Sequence, residues 1–297
     1  MLKRKLHKAA LIVGSFVFMA ASSDTTARTS RSDHSASFRA IHDSLSVLTH
    51  TFDAEGYCIC TPVDATRILD NAPRIVLNRN VTQFVNDHHK RNATSLDKIK
   101  ADREARFTLI DSVFTKHMLP VELKYLAVIE SKLDTRAVSR VGAKGMWQFM
   151  PSTARLCGLT VKGKYDERLY AYKSTVAAAK YLAYLYRLFD DWLLTIAAYN
   201  SGPGYVYAAI KKSGSRNFWV LQRFLPLETR NHVKKYISVH YYYEGHGGMT
   251  TLTKSERLDH INAVALFIEK QKAKEEEDET TVDSTSISTE TVKLSQE

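Results

Sequence analysis

The chain has 297 residues, 44% of them hydrophobic, which is enough for one sizeable core with tails or for two small domains. Its three cysteines, Cys58, Cys60 and Cys157, are odd in number and exclude a complete disulfide framework. The formal charge of +10 is uneven: a leader of +4 in the first eight residues and a tail of −5 over residues 271–297 leave +11 on the chain between them. A basic body favours nucleic acid, anionic lipid or an anionic wall polymer, and charge alone does not choose among them.

The N-terminus narrows the choice. Lys3, Arg4, Lys5 and Lys8 precede the uncharged residues 9–21, and small residues follow. That layout predicts a secretory signal peptide over residues 1–22, with an apolar run too short for a membrane span of ~20 residues. An uncleaved anchor is the other reading. Export to the periplasm or cell envelope argues against nucleic acid as a partner.

Residues 23–69 are mixed, rich in Ser, Thr, Asp and Arg, and are expected to form a flexible lead-in. Cys58 and Cys60 lack the histidines a zinc site would need. No metal and no cofactor are expected, and Cys157 reads as a small buried residue. Residues 70–116 are expected to form N-terminal helices packing on the larger helical domain C-terminal to them. One is signalled by Ile75, Val76, Val81, Phe84 and Val85, and a longer one by Ile99, Phe107, Ile110, Val113 and Phe114.

Over residues 117–247 the pattern stays helical. Pro120 opens a helix through Glu130, since proline suits a first turn. Further helices are expected over residues 152–157, 174–189, 191–200, 205–212 and 229–243, without clean alternation of β-branched residues. The fold class is therefore mainly α. After the glycines near residue 247, an amphipathic helix within residues 248–270 carries Leu258, Ile261, Val264, Ala265 and Ile268 on one face. Residues 271–297, acidic and rich in Ser and Thr, are expected to be disordered.

Chemistry concentrates at Glu130. Leu119, Leu123, Leu126 and Ala127 recur at helical spacing, and Glu130 is the next member of their stripe. A carboxyl aimed at a core is costly to ionise, so its pKa rises and it can hold a proton for general acid catalysis. The stripe alone leaves a second reading open, in which Glu130 swings outward to Lys132 or Arg136. Downstream, residues 142–154 read GAKGMWQFMPSTA. Glycines let a backbone approach a ligand closely, and the Gln148 amide offers donors and an acceptor to sugar hydroxyls.

Taken together, these motifs resemble the lytic transglycosylases of bacterial peptidoglycan, the type with a goose-lysozyme-like catalytic domain, and most of all the membrane-bound transglycosylase D group. The resemblance runs over about residues 70–245. It is carried by Leu119-Pro120-Val121-Glu122-Leu123, Ile129-Glu130-Ser131, Ala137, Ser139, the 142–154 loop, Asp191-Trp192-Leu193-Leu194, Ala197-Ala198-Tyr199-Asn200-Ser201-Gly202 and Leu227-Glu228-Thr229-Arg230. It implies a lysozyme-like helical domain with a catalytic groove over residues 117–247, and Glu130 as the single catalytic acid and base. Ser139, Gln148, Met150, Tyr199, Asn200, Glu228 and, more loosely, Tyr236 are implied as substrate-binding residues, with Tyr199 hydrogen-bonding near Glu130.

The implied partner is the peptidoglycan glycan strand, cut without water at the MurNAc-β-1,4-GlcNAc bond to leave 1,6-anhydroMurNAc ends. Two departures stand out: no wall-binding repeat follows Gly245, and Trp147 fills a position often taken by Met. Two alternatives are a hydrolytic muramidase, needing Asp134 or Glu228 as a second carboxylate, and a non-catalytic wall-binding protein.

Overall fold

Strong helical periodicity from residue 79 onward becomes ten α-helices among the residues that the computed structural model describes. These are residues 51–52, 58–59 and 72–293, with side chains described over 72–274. The chain divides into two units, Met1–Thr66 and Arg67–Glu297. Within the first, a short antiparallel pair is described, β1 (Thr51–Phe52) with β2 (Cys58–Ile59). The expected signal peptide and the rest of the expected lead-in lie outside the described residues.

The second unit opens with α1 (Arg79–Asp102) and α2 (Glu104–Lys116). Asn78 caps α1 by accepting from the Asn80 amide at 2.9 Å. The helix boundary falls at Arg103, so Ile99 belongs to the first helix and not to the second, and Ile75 and Val76 precede helix altogether. No Pro or Gly marks this break; Arg103 simply leaves helical geometry at φ −126°. Pro120 also sits differently from the expectation: it precedes a 3₁₀ turn, Val121–Lys124, which runs into α3 (Tyr125–Ser131).

A loop then leads to α4 (Pro151–Leu156) and to a hairpin of β3 (Val161–Lys162) and β4 (Tyr165–Asp166). Its strands of two residues are too short to leave an alternating pattern in the sequence. The remaining helices are α5 (Ala171–Phe189), α6 (Trp192–Ser201), α7 (Pro203–Ser213), α8 (Phe218–Leu221), α9 (Leu227–Glu244) and α10 (Lys254–Lys293).

Helix α6 is the centre of the unit. Every residue from Trp192 to Ala198 is buried, as expected of a helix that is apolar all round. It packs on α5, α7 and α9, and α9 packs in turn on α1 and α3. The α1–α9 contact has a polar seam, where His89 Nε2 lies 2.7 Å from the Ser238 carbonyl and His88 Nδ1 2.9 Å from the Ser238 hydroxyl.

Asp191 caps two helices at once, accepting from the Leu194 amide at 3.0 Å and from the Lys254 amide at 2.6 Å. Burial pushes this carboxyl up to about 6 against the pull of those amides. Thr253 and Glu256 form a reciprocal capping pair at the start of α10. Glu256 also receives Trp219 Nε1 at 3.1 Å and Asn78 Nδ2 at 2.5 Å, tying α10 to α8 and to the α1 cap.

The backbone of α10 remains helical to Lys293 where a disordered tail from residue 271 was expected. Gln, Lys, Ala and Glu after residue 270 are good helix formers, and extending an existing helix carries no nucleation penalty. No helix among the described residues is long and apolar enough to cross a membrane.

Candidate active site

Glu130 stands one residue from the end of α3. Its helix neighbours Leu126 and Ala127 are fully buried, and its own side chain is 16% exposed. The carboxyl is thus mostly enclosed with an edge open to solvent. Burial first, then the field of Glu228, pushes its pKa up to about 8, against an opposing pull from Lys235. At neutral pH this group holds its proton.

The chain turns sharply just beyond it. Lys132 and Leu133 both adopt left-handed conformations, φ 56° and 61°, which cost a residue bearing a Cβ of order 1–2 kcal/mol each. The turn is held by Lys132 and Leu133 amides returning to Val128 and Ala127 carbonyls at 2.8 and 3.1 Å. The Arg106 guanidinium also donates to the Leu133 carbonyl. Ser131 Oγ donates to the Met146 carbonyl at 2.8 Å, fastening the Glu130 turn to the glycine loop.

That loop is braced from behind. Arg168, buried, pairs bidentately with Asp166 at 2.8 and 2.7 Å and donates to the Gly142 and Phe149 carbonyls at 2.9 Å each. The Arg168 hydrogen bonds hold the Asp166 carboxyl below its ordinary range. Gly145, at φ +79°, lies so close that a Cβ there would stand 1.9 Å from the Arg168 carbonyl oxygen.

The sequence candidates separate into groups. Ser139 closes the turn itself, its hydroxyl accepting from the Ala143 amide at 2.9 Å. Gln148, at φ 49°, donates through Nε2 to the Ala137 and Gly145 carbonyls at 3.3 and 2.8 Å. Its donors shape the loop. Met150, at the head of α4, is 41% exposed.

Tyr199 is near enough for Glu130 to contribute to raising its phenol, after burial, but its hydroxyl donates to the Trp147 carbonyl at 2.8 Å. Asn200 Oδ1 accepts from the Thr229 hydroxyl at 2.9 Å and so joins the end of α6 to the start of α9. Glu228, exposed in the first turn of α9, projects its field onto Glu130.

Tyr236 does not face a groove. It is fully buried, and its hydroxyl donates to Thr250 Oγ1 at 2.7 Å. Two turns along α9 from Glu228, its face has rotated into the core. Cys157 is half-buried with a free thiol raised to about 11, chiefly by burial.

One neighbour of Glu130 is absent from the sequence candidates. His232 Nε2 lies 3.5 Å from Glu130 Oε1. The contact is not an ion pair, because burial lowers His232 to about 3 while Glu130 is raised to about 8, leaving both neutral at pH 7. The signal was its position four residues after Glu228, on the same face of one helix.

A cavity of about 490 Å³ lined by Phe107, Lys124, Tyr125, Tyr243 and Glu244 among others contains none of these site residues. Among the described residues no cluster of three or more His, Cys, Asp or Glu is arranged to hold a metal ion.

The fold and the site define a class: a mainly α domain presenting one enclosed, protonated carboxyl beside a braced glycine loop. Residues 112–222 match the family model of the transglycosylase SLT domain. The mainly α architecture expected from the motifs is the one that the described residues adopt.

The chain is 40% identical over 154 residues to membrane-bound lytic murein transglycosylase D of Escherichia coli K12, covering 50% of this chain and 34% of that protein. It is 43% identical over 84 residues to peptidoglycan transglycosylase gp16 of Escherichia phage T7, covering 28% of this chain and 6% of the other. The chain therefore spans about a third of the length of the first of these curated relatives. Among solved structures, the 70 kDa soluble lytic transglycosylase Slt70 of Escherichia coli is similar at a TM-score of 0.42 and 26% identity, over 49% of this chain and 26% of that one.

Proposed function

We propose that this protein is an exported peptidoglycan lytic transglycosylase acting in the periplasm or cell envelope. In this reading it cleaves the MurNAc-β-1,4-GlcNAc bond without water. The observation that carries the reading is the enclosed carboxyl of Glu130, raised to about 8 and still reached from solvent at one edge. The transglycosylase activities named for the relatives, and the SLT domain itself, supply the substrate class.

Glu130 donates its proton to the glycosidic oxygen as the C1–O bond breaks. Positive character at C1 is stabilised by the muramic acetamido group. Glu130, now a carboxylate, takes the proton of the sugar's own 6-hydroxyl, and that oxygen closes on C1. One carboxyl serves both steps because the nucleophile is tethered, with an effective concentration of order 10⁵ M or more. The surroundings of Glu130 suit this cycle, since Lys235 opposes the effect of burial and eases the ionised form that the second step needs.

Tyr199, Asn200 and Glu228 frame the reacting sugar. Ser139, Gln148 and Met150 present the loop along which the strand lies. The basic body supplies attraction to the anionic wall.

Glu228 keeps a hydrolytic muramidase as the second reading, since its field reaches Glu130 and a paired-carboxylate mechanism would need such a group. Asp134 suits that role less, because its Oδ1 is engaged with the Arg136 amide at 2.9 Å.

Glu130→Gln keeps size and removes the proton. It is expected to lower wall-digesting activity at least a hundredfold, within the usual range for a general acid, with the fold intact by circular dichroism. Retention of more than a tenth of wild-type turnover would remove Glu130 from the mechanism.

A further inference from the structure

His232 is enclosed on α9, 8% exposed, and its Nε2 is buried without a hydrogen bond. An orphaned polar atom in such a place costs of order 1–3 kcal/mol, and native structures seldom keep one without a use. Glu130 Oε1 lies 3.5 Å from His232 Nε2. Closing that gap to an ordinary hydrogen bond takes roughly half an ångström, and catalytic contacts in substrate-free enzymes are commonly this long.

The other groups facing the pair are placed for different work. Tyr199 on α6 has its hydroxyl engaged with the Trp147 carbonyl. Glu228 and Lys235, on α9, act on Glu130 by their charge, and both are exposed.

We infer that His232 is a positioning residue for Glu130: its Nε2–H donates to Oε1, so that the acidic proton is left on Oε2. The inference rests on Glu130 being the acid. A carboxylic acid can carry its proton on either oxygen, and a neutral imidazole next to Oε1 can meet it as donor or as acceptor. Acceptance would draw the acidic proton to the oxygen facing the protein interior, away from any substrate.

Donation leaves Oε2–H free for the glycosidic oxygen. After proton transfer the same Nε2–H faces a carboxylate, where a charge-assisted bond is stronger. The imidazole neither gains nor loses a proton in the cycle. Burial first, and then the field of Lys235, keeps His232 in the neutral form required.

The test compares His232→Leu with His232→Gln. Leu fills similar space and removes the donor; Gln restores an N–H near the same place. With Leu, kcat for wall digestion is expected to fall about tenfold or more with KM within twofold, as for loss of one preorganised donor. The alkaline limb of the pH profile should move upward, because the ionised carboxyl has lost its donor.

With Gln, most of kcat and the original limb should return. A role in packing alone predicts the reverse order, Leu harmless and Gln the worse. Either a fully active Leu variant or a Gln variant as impaired as Leu would overturn the inference.

A second measurement needs no activity. In ¹⁵N-histidine NMR of the wild-type chain at pH 7, His232 should be neutral with its proton on Nε2. A proton on Nδ1 alone, or an imidazolium, would overturn the inference. Because lyase and hydrolase alike draw the proton of Glu130, wild-type products with reducing ends would reject the lyase while leaving the His232 comparison decisive. If the wild-type chain cut no wall at all, the NMR result would still decide.

Discussion

Replacing Glu130 by Gln should stabilise this protein, and increasingly so as pH rises. In the folded state the carboxyl titrates at about 8, against an ordinary 4.5 for an exposed glutamate. Between those values the folded chain holds a proton that the unfolded chain has released, so stability falls with pH. The contribution of this group is fully present below 4.5 and is lost as pH rises through about 8.

At pH 7 the handicap is 2.5 pH units above the unfolded value, or about 3 kcal/mol at 1.36 kcal/mol per unit. Glutamine has no such handicap and keeps an oxygen to accept from His232. For a domain of this size the gain corresponds to roughly 6–12 °C in Tm at pH 7, and to little at pH 4.5. The assay is the Tm of both proteins by calorimetry from pH 4.5 to 8.5, read as a difference so that other titrating groups cancel. A difference that stays flat over this range would refute the claim that Glu130 is held protonated by its surroundings.

Two further outcomes rest on the same geometry. The rate of wall digestion at low substrate should be level through neutral pH and fall as pH rises through about 8, where Glu130 loses its proton; a limb near the ordinary 4.5 would mean that the acid is solvated. Gly145→Ala should destabilise the protein by more than about 2 kcal/mol in urea unfolding, since its Cβ would stand 1.9 Å from the Arg168 carbonyl at φ +79°; a loss below about 0.5 kcal/mol would mean that the brace behind the loop is soft.

The inward orientation of Glu130 was legible in part, because the stripe of Leu119, Leu123, Leu126 and Ala127 is local and periodic, while its proposed role came from the longer motifs. The central helix was legible as a nearly uninterrupted apolar run over residues 192–198, and its Asp191 cap shows only in the structure. His232 was not legible, because its partner lies on another helix about a hundred residues earlier and only packing of α9 on α3 brings them together. Tyr236 is implied as substrate-binding only by the looser part of the resemblance, and tertiary packing turns it into the core beside Thr250.

Gln148 suggests a ligand contact by its residue type, and Ser139 only by the resemblance. Their contacts are set by backbone geometry, a tight turn and a positive φ, which residue type does not reveal. The start of α10 was readable and overlooked: Thr253 followed by Glu256 is a capping-box pattern, and it sets the helix four residues earlier than the apolar periodicity does.

The chemistry of the products tests the central claim most directly. Sacculi digested by the purified protein in water enriched with ¹⁸O should release muropeptides ending in 1,6-anhydroMurNAc, lighter by one water than hydrolysis products and free of the label. Reducing-end muropeptides carrying ¹⁸O at the cleaved carbon would contradict the ring-closing mechanism and favour a hydrolytic muramidase.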